Sequence, residues 1–124
     1  MTKTLKAELW IKLTLPGAGQ VGPGKIQLLR NIREHQSITA AAREMGMSYR
    51  RAWLLVDEMN RLFAQPLVAK WQGGRSKGGA SLTRLGEELI RQYEAVVERS
   101  AGANEDLLKD IGRKVCRTKS SRRG

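Results

Sequence analysis

The sequence predicts a mainly α-helical domain that contains one small β-hairpin. Apolar residues recur at helical spacing in several segments, and two short β-type segments flank a glycine-rich stretch at 73–79. With 124 residues, the chain is long enough for one domain, or for one domain and an extension. The apolar fraction of 40% fits a folded domain whose core is built from aliphatic side chains.

The first predicted element is a half-buried strand over residues 6–15, because apolar and polar residues alternate there. A loop is expected over 16–23, which begins and ends with proline. The first helix should run from Lys25 to just before Ser37. Its apolar face is formed by Ile26, Leu28, Leu29 and Ile32.

Two helices joined by a tight turn are expected next. Ser37 should cap a short helix that Gly46 ends, since glycine suits the positive φ of such a turn. Ala42 lies four residues earlier, where a small side chain lets two helices cross closely. Ser48 should cap the third helix, and Pro66 should stop it. The buried stripe predicted for this helix consists of Ala52, Leu55, Val56, Met59, Leu62 and Phe63.

A β-hairpin is predicted from strands at 67–71 and 80–82, with the basic, glycine-rich segment 73–79 at its tip. A long helix should begin at Thr83 or just after it and end near Gly102. The order strand, helix, short helix, tight turn, helix, hairpin and long helix predicts a winged helix-turn-helix fold. A crossed helix pair in some other fold is the alternative, which the basic hairpin makes less favourable.

The end of the chain is predicted to form a separate extension. Asn104 could cap a short helix that runs through Ile111 and ends at Gly112. The residues after it are basic and rich in serine, which is typical of disorder. We therefore assign 1–101 to the winged domain with its long helix, and 102–124 to the extension.

The charge balance indicates a polyanionic partner. Lys and Arg total 23 against 12 for Asp and Glu, which gives a net charge of +11. Residues 67–86 hold four basic and no acidic side chains, and residues 112–124 hold six and none. Such runs are often only solvated surfaces, but here they coincide with glycines and a helix start.

Several other classes of protein are disfavoured. No run of 18 apolar residues is present, and the N-terminus lacks the pattern of a signal peptide, so a membrane protein is not expected and the cytoplasm is the expected location. Cys116 and His35 are the single cysteine and histidine, too few for a disulfide or a Cys/His zinc site. No group of residues has catalytic spacing. We expect no enzyme activity and no cofactor.

Several motifs are similar to one known family. They are Ser37-Ile38-Thr39-Ala40-Ala41-Ala42, Ser48-Tyr49-Arg50-Arg51-Ala52-Trp53, Asp57-Glu58-Met59-Asn60, Leu82-Thr83-Arg84-Leu85-Gly86 and the segment 73–79. In order and spacing, the chain over about 7–100 resembles the N-terminal DNA-binding domain of ModE-type molybdate-responsive regulators. It is more distantly similar to LysR-type regulators.

The resemblance implies a transcriptional regulator that binds double-stranded DNA as a homodimer. ModE-type regulators that sense molybdate carry additional C-terminal β-barrel domains for that anion. This chain ends before such a domain could fit, so molybdate binding is not expected in it.

The candidate DNA contacts centre on the third helix. Arg50 and Arg51 lie in its first turn, opposite the apolar stripe, where an arginine can bond guanine or clamp a phosphate. Both could instead be solvated, Trp53 could pack against a neighbouring element, and Leu54 could be exposed incidentally. The full candidate set is Ser37, Thr39, Ser48, Tyr49, Arg50, Arg51, Trp53, Leu54, Arg75, Lys77 and Arg84.

We therefore expect a sequence-specific DNA-binding regulator of the ModE-like type. Residues 48–61 should enter the major groove and 73–79 should touch the flanking backbone, while the strand at 6–15 and the helix after Thr83 form the dimer. Two alternatives stay open. One is a sequence-neutral architectural or RNA-binding protein, and the other is a protein-interaction winged helix.

Overall fold

A computed structural model describes residues 6–71 and 79–115. The chain divides into two compact units. The central unit is Ile11–Glu94, and the terminal unit joins the residues up to Trp10 with those from Ala95 onwards. None of the helices in the described ranges is both long and apolar enough to cross a membrane.

The secondary structure confirms the mainly helical prediction with its hairpin. In chain order the elements are β1 (Leu13–Thr14), β2 (Gln20–Val21), α1 (Pro23–His35), α2 (Ile38–Glu44), α3 (Tyr49–Leu62), β3 (Val68–Trp71), β4 (Gly79–Leu82), α4 (Arg84–Ala103) and α5 (Glu105–Arg113). Helices α2 and α3 with the β3–β4 pair give the winged helix-turn-helix arrangement.

The predictions for the N-terminal strand and the following loop were wrong in extent. Only Leu13 and Thr14 of residues 6–15 form a strand, and the expected loop over 16–23 contains β2, which pairs with β1 in antiparallel register. Alternation still decides burial, since Leu13 is half-buried and Lys12 is exposed. A β ladder needs a second backbone as well as alternation, and β2 offers only two residues to pair with.

The helix-turn-helix confirms its predicted caps and turn. The Ser37 hydroxyl oxygen accepts a hydrogen bond from the Ala40 amide at 3.0 Å, and that of Ser48 accepts one from the Arg51 amide at 3.1 Å. Between the two helices, Gly46 has φ of +68°, which a side chain would make unfavourable. Helix α3 ends at Leu62, four residues before Pro66, because Phe63 is already extended.

The core of the central unit is aliphatic, as the composition predicted. The predicted stripe of α3 is buried at Ala52, Val56 and Met59, and its other members are half-buried. Since no buried residue in the described ranges is polar or charged, this core carries no desolvated charge. The largest fully buried side chains are Val21, Ile26, Leu28, Leu29, Ile32, Val56, Met59, Leu67, Val68 and Ile90.

Polar side chains join the end of α3 to the hairpin. The Asn60 amide oxygen accepts from the backbone amides of Leu67 and Val68 at 2.8 and 3.0 Å, and its nitrogen donates to the Val68 carbonyl. A side chain on Gly86 would place its Cβ 2.4 Å from the Leu67 carbonyl oxygen, so α4 approaches this point closely only with glycine there. The hairpin root is therefore fixed against both helices.

One tyrosine anchors the segment before β1. The buried Tyr93 hydroxyl donates to the Ile11 carbonyl oxygen at 2.6 Å. Burial raises the pKa of this phenol, and the positive charge of Arg30 opposes that effect less strongly. The hydroxyl therefore keeps the proton that it donates.

In the terminal unit, two predictions about α5 were wrong. Asn104 precedes the helix, but its side chain donates to the Ser100 carbonyl at 2.8 Å and does not cap α5. Gly112 lies inside the helix, which ends at Arg113, because right-handed helical backbone is also open to glycine. The expected disorder of the tail concerns residues that, from Cys116 onwards, lie outside the described ranges.

Candidate nucleic-acid interface

The first turn of α3 presents two unpaired cations. Arg50 and Arg51 are both exposed, and no carboxylate in the described ranges forms an ion pair with either. Their guanidinium groups therefore keep all their donors available for an external acceptor. An arginine fork of this kind matches either the O6 and N7 atoms of guanine or two phosphate oxygens.

These arginines border an open depression of about 340 Å³ along α3. One acidic side chain lies at its far end, and the remaining lining is basic, hydroxyl-bearing or apolar. The lining residues are Ser48, Arg50, Arg51, Leu54, Leu55 and Glu58. The surface thus offers both hydrogen-bond donors and apolar contact, as a base edge with a thymine methyl group requires.

Both acidic side chains on α3 have cationic partners within the central unit. Asp57 pairs with Arg61 one turn further along the helix. Glu58 pairs with Lys25 of α1 at 3.0 Å, and the same ammonium group donates to the Gln20 carbonyl at 2.7 Å. The negative charges that would repel a polyanion are therefore compensated internally.

Aromatic and apolar residues of α3 surround the arginines. The side chains of Tyr49 and Leu54 are 53% and 48% exposed, and Trp53 is 36% exposed. Trp53 meets a residue of the hairpin, since the Lys70 ammonium lies 4.8 Å from the centre of its ring. Trp53 therefore combines both alternatives considered for it: it is partly covered by another element and partly open.

The hydroxyl-bearing candidates and Arg84 lie at helix starts. Ser37 and Ser48 use their hydroxyl oxygens as N-cap acceptors, and Thr39 is exposed on α2. A capping hydroxyl still has its own proton to donate to a phosphate. Arg84 is exposed at the first residue of α4, and no carboxylate in the described part of the chain pairs with it.

The tip of the hairpin lies outside the described residues, and Arg75 and Lys77 lie there with it. The strands that lead to the tip are described. Trp71 pairs with Gly79, and a Cβ on this glycine would come within 2.4 Å of the indole ring. The end of the hairpin next to its tip therefore carries the Trp71 indole, which lies across Gly79 and is 47% exposed.

The arginines of α1, by contrast, are held by carboxylates. Arg30 of α1 donates through Nε and Nη2 to one Glu94 oxygen, at 2.9 and 2.7 Å. Arg33 of the same helix pairs with Glu87 at 3.4 Å. Both carboxylates belong to α4, so ion pairs with α4 compensate the charges of these two arginines.

Sequence reasoning missed Lys25, Lys70 and Asn60. Lys25 begins the first predicted helix, and Lys70 lies in a short strand. The residues close to them in sequence do not indicate which distant side chain each one contacts. Asn60 was quoted within a motif, but its three hydrogen bonds to the backbone of Leu67 and Val68 were not foreseen. No group of three or more His, Cys, Asp or Glu side chains able to hold a metal was found within 6–71 and 79–115.

Comparison with known proteins gives one matching family model and several similar proteins. A family model described as bacterial regulatory helix-turn-helix protein, lysR family, matches residues 24–87. The chain is 45% identical over 83 residues to the molybdenum-pterin-binding protein MopA of Rhodobacter capsulatus, which covers 67% of this chain and 31% of that protein.

Two proteins named as regulators are similar over a longer part of the chain. The transcriptional regulator ModE of Yersinia pestis is 38% identical over 108 residues, or 86% of this chain and 40% of that protein. The DNA-binding transcriptional dual regulator ModE of Escherichia coli K12 is 37% identical over 94 residues, or 76% and 36%. The chain thus spans between 31% and 40% of the length of these relatives.

Proposed function

The chain belongs to the bacterial regulatory helix-turn-helix family of the lysR type, and from that premise we propose that it is a sequence-specific DNA-binding transcriptional regulator of the ModE-like kind. The observation that carries this proposal is the pair of unpaired arginines in the first turn of α3. They project from the second helix of a helix-turn-helix, the helix that enters the major groove in this motif.

The contacts follow from the chemistry of this surface. Arg50 bonds the O6 and N7 atoms of a guanine, and Arg51 bonds either a neighbouring base or a phosphate. Leu54 contacts a thymine methyl group, and the hydroxyl groups of Ser37, Thr39 and Ser48 donate to phosphates. Arg84, Tyr49 and the hairpin residues Arg75 and Lys77 add contacts at the edge of the groove. The protein acts in the cytoplasm, where its target DNA lies.

The protein binds DNA as a homodimer, because one helix-turn-helix supplies few base contacts and a second copy doubles them. Support comes from the terminal unit, which exposes large apolar side chains that are not among the proposed DNA contacts. They are Trp10, Val96, Leu107, Ile111 and Val115. The helix after Thr83 and the segment 6–15 contribute part of this surface, and α5 adds the rest.

Sites selected from a random pool of duplex DNA test the proposal. We expect a palindrome whose half-sites lie about one helical turn apart, and retention on duplex DNA over single-stranded RNA of the same length. Enrichment of no sequence, with equal affinity for all duplexes, would instead indicate a sequence-neutral architectural protein. Preferential binding of RNA would exclude a duplex-DNA regulator.

Molybdenum binding is named for one set of relatives, but the shared part is about a third of their length. We propose that the 124 residues bind DNA without holding molybdate. The depression on α3 is open and lined by two arginines, which suit any oxyanion equally.

A further inference from the structure

Lys70 is not among the DNA contacts expected from the sequence, yet it lies beside α3, the proposed recognition helix. We propose that Lys70 binds a DNA phosphate, and that Trp53 is the residue that positions its ammonium group. This inference rests on the proposed function, because it concerns how the same surface meets the DNA backbone. It adds one contact from strand β3 to the contacts of α3.

The geometry brings together two elements that are distant in sequence. Lys70 is exposed on β3, opposite Ala80 of β4, and its ammonium lies 4.8 Å from the centre of the Trp53 ring on α3. Trp53 stands three residues after Arg50, so the two side chains are neighbours on the helix surface. The Lys70 charge therefore lies at the flank of α3, next to the arginine pair.

An aromatic ring positions this charge without cancelling it. The ring attracts the ammonium through its quadrupole but has no formal negative charge. No carboxylate in the described ranges pairs with Lys70. The lysines and arginines of α1, by contrast, are paired with Glu58, Glu87 and Glu94. The ring limits the positions of the Lys70 ammonium, so this lysine loses less conformational entropy when it binds a phosphate. Its full charge stays available for that contact.

A phosphate is the acceptor that this position favours. When a recognition helix lies in the major groove, its flanks face the two sugar–phosphate backbones and its outer face meets the bases. Lys70 reaches the flank from the hairpin, and lysine binds phosphate as a point charge without the planar fork that suits guanine. The contact should therefore add affinity without adding sequence preference.

The test compares Lys70→Gln with Lys109→Gln, which removes the same charge from α5, where Lys109 pairs with Glu105. Affinity for a selected duplex and for a random duplex is measured across a salt series. For Lys70→Gln we expect a loss of about three- to tenfold on both duplexes, and a slope of log affinity against log salt that is shallower by about 1. Lys109→Gln should leave the slope unchanged, and Lys70→Arg should keep most of the affinity.

The role of Trp53 is tested by a double-mutant cycle. Trp53→Leu should weaken binding, and Lys70→Gln should cost less in that variant than in the wild type, because the ammonium is no longer held. Circular dichroism checks that each variant is folded. Independent, additive effects would overturn the positioning role of Trp53.

Three further outcomes separate this inference from the proposed function. If the wild type binds duplex DNA but Lys70→Gln behaves like Lys109→Gln, the phosphate contact is wrong and the proposed function stands. If Lys70→Gln weakens the selected duplex alone, with an unchanged salt slope, Lys70 reads a base and the phosphate assignment is overturned. If the wild type binds no duplex, both proposals fail.

Discussion

The central unit and the terminal unit both expose large apolar side chains, yet their charges differ. Within the described ranges, residues 11–94 hold eleven basic and seven acidic side chains, whereas the terminal unit holds five of each. In the described part of the central unit, the large exposed aromatic and apolar residues lie on α3 or β3, beside unpaired cations. They are Tyr49, Trp53, Leu54 and Trp71.

In the terminal unit, exposed apolar residues stand among charges that pair with one another. Lys109 pairs with Glu105 at 3.2 Å, and Arg113 and Lys114 both pair with Asp110. An apolar surface without excess charge suits another protein surface, while an apolar surface beside free arginines suits the grooves of DNA. Exposure alone therefore does not identify the partner of an apolar surface, whereas the pairing of the charges beside it does.

The largest effect is expected from charging the apolar surface of the terminal unit. Leu107 and Ile111 lie one helical turn apart on α5 and are 63% and 53% exposed, so glutamates there should leave the fold intact. We expect the double variant Leu107→Glu/Ile111→Glu to be monomeric by light scattering. Its affinity for a two-half-site duplex should fall by about 100-fold, because the second half-site is no longer bound in the same complex.

The matched control is Lys109→Gln/Arg113→Gln, which changes the net charge equally on the opposite side of the same helix. It should remain dimeric. A monomeric wild type at tens of micromolar, or a charged variant that stays dimeric, would contradict the assignment of this surface.

Arg50→Ala should have the next largest effect, on the central unit. We expect a loss of about 1–3 kcal/mol in binding free energy and relaxed preference at one base position, because a guanine loses a bidentate partner. Arg91→Ala is the control in the same unit, since Arg91 is an exposed arginine of α4 that is not among the proposed DNA contacts. Equal weakening on selected and random duplexes would make Arg50 a phosphate contact instead.

Gly46→Ala should lower the free energy of unfolding by about 1–2 kcal/mol, because φ of +68° disfavours an alanine. Gly24→Ala is the control in the same unit. Gly24 lies in α1 with negative φ and nothing within 4 Å of an added Cβ, so alanine there should stabilise by about 0.5–1 kcal/mol. Chemical denaturation measures both changes. A Gly46→Ala variant as stable as the wild type would show that the turn does not require glycine.

Lys25→Met should reduce affinity for duplex DNA about fivefold, close to 1 kcal/mol, by leaving Glu58 uncompensated at the end of the α3 depression. The double variant Lys25→Met/Glu58→Gln should recover the wild-type affinity. Fluorescence anisotropy at low salt measures the cycle. If removal of the Glu58 charge rescues nothing, Lys25 acts on DNA directly or on the fold.

The smallest effect is expected from molybdate. At millimolar concentration it should change neither the melting temperature nor the affinity for DNA, since binding to the native state would raise stability by mass action. Sulfate serves as the control for weak attraction of any tetrahedral anion to the arginines of α3. Stabilisation by molybdate that sulfate does not reproduce would show a specific oxyanion site in this chain.

Much of the fold was predictable because its signals are local. Capping by Ser37 and Ser48, the turn at Gly46 and the apolar stripe of α3 each depend on residues within a few positions of one another. The same holds for the first-turn arginines of the candidate site. Asn104 shows the limit of such reasoning, since its residue type suits a cap but its side chain binds the preceding helix turn.

Local signals in the sequence were enough to establish the order of the helices and the β3–β4 hairpin, the basic character of the chain and the helix that carries the arginines. Which charges are compensated depends on the tertiary structure, because Lys25 and Glu58 are 33 residues apart and Arg30 and Glu94 are 64 apart. The tertiary structure also decided that β1 is only two residues long and that Lys70 meets Trp53. These outcomes depend on which backbone or side chain arrives from elsewhere in the chain, and no local pattern encodes that partner.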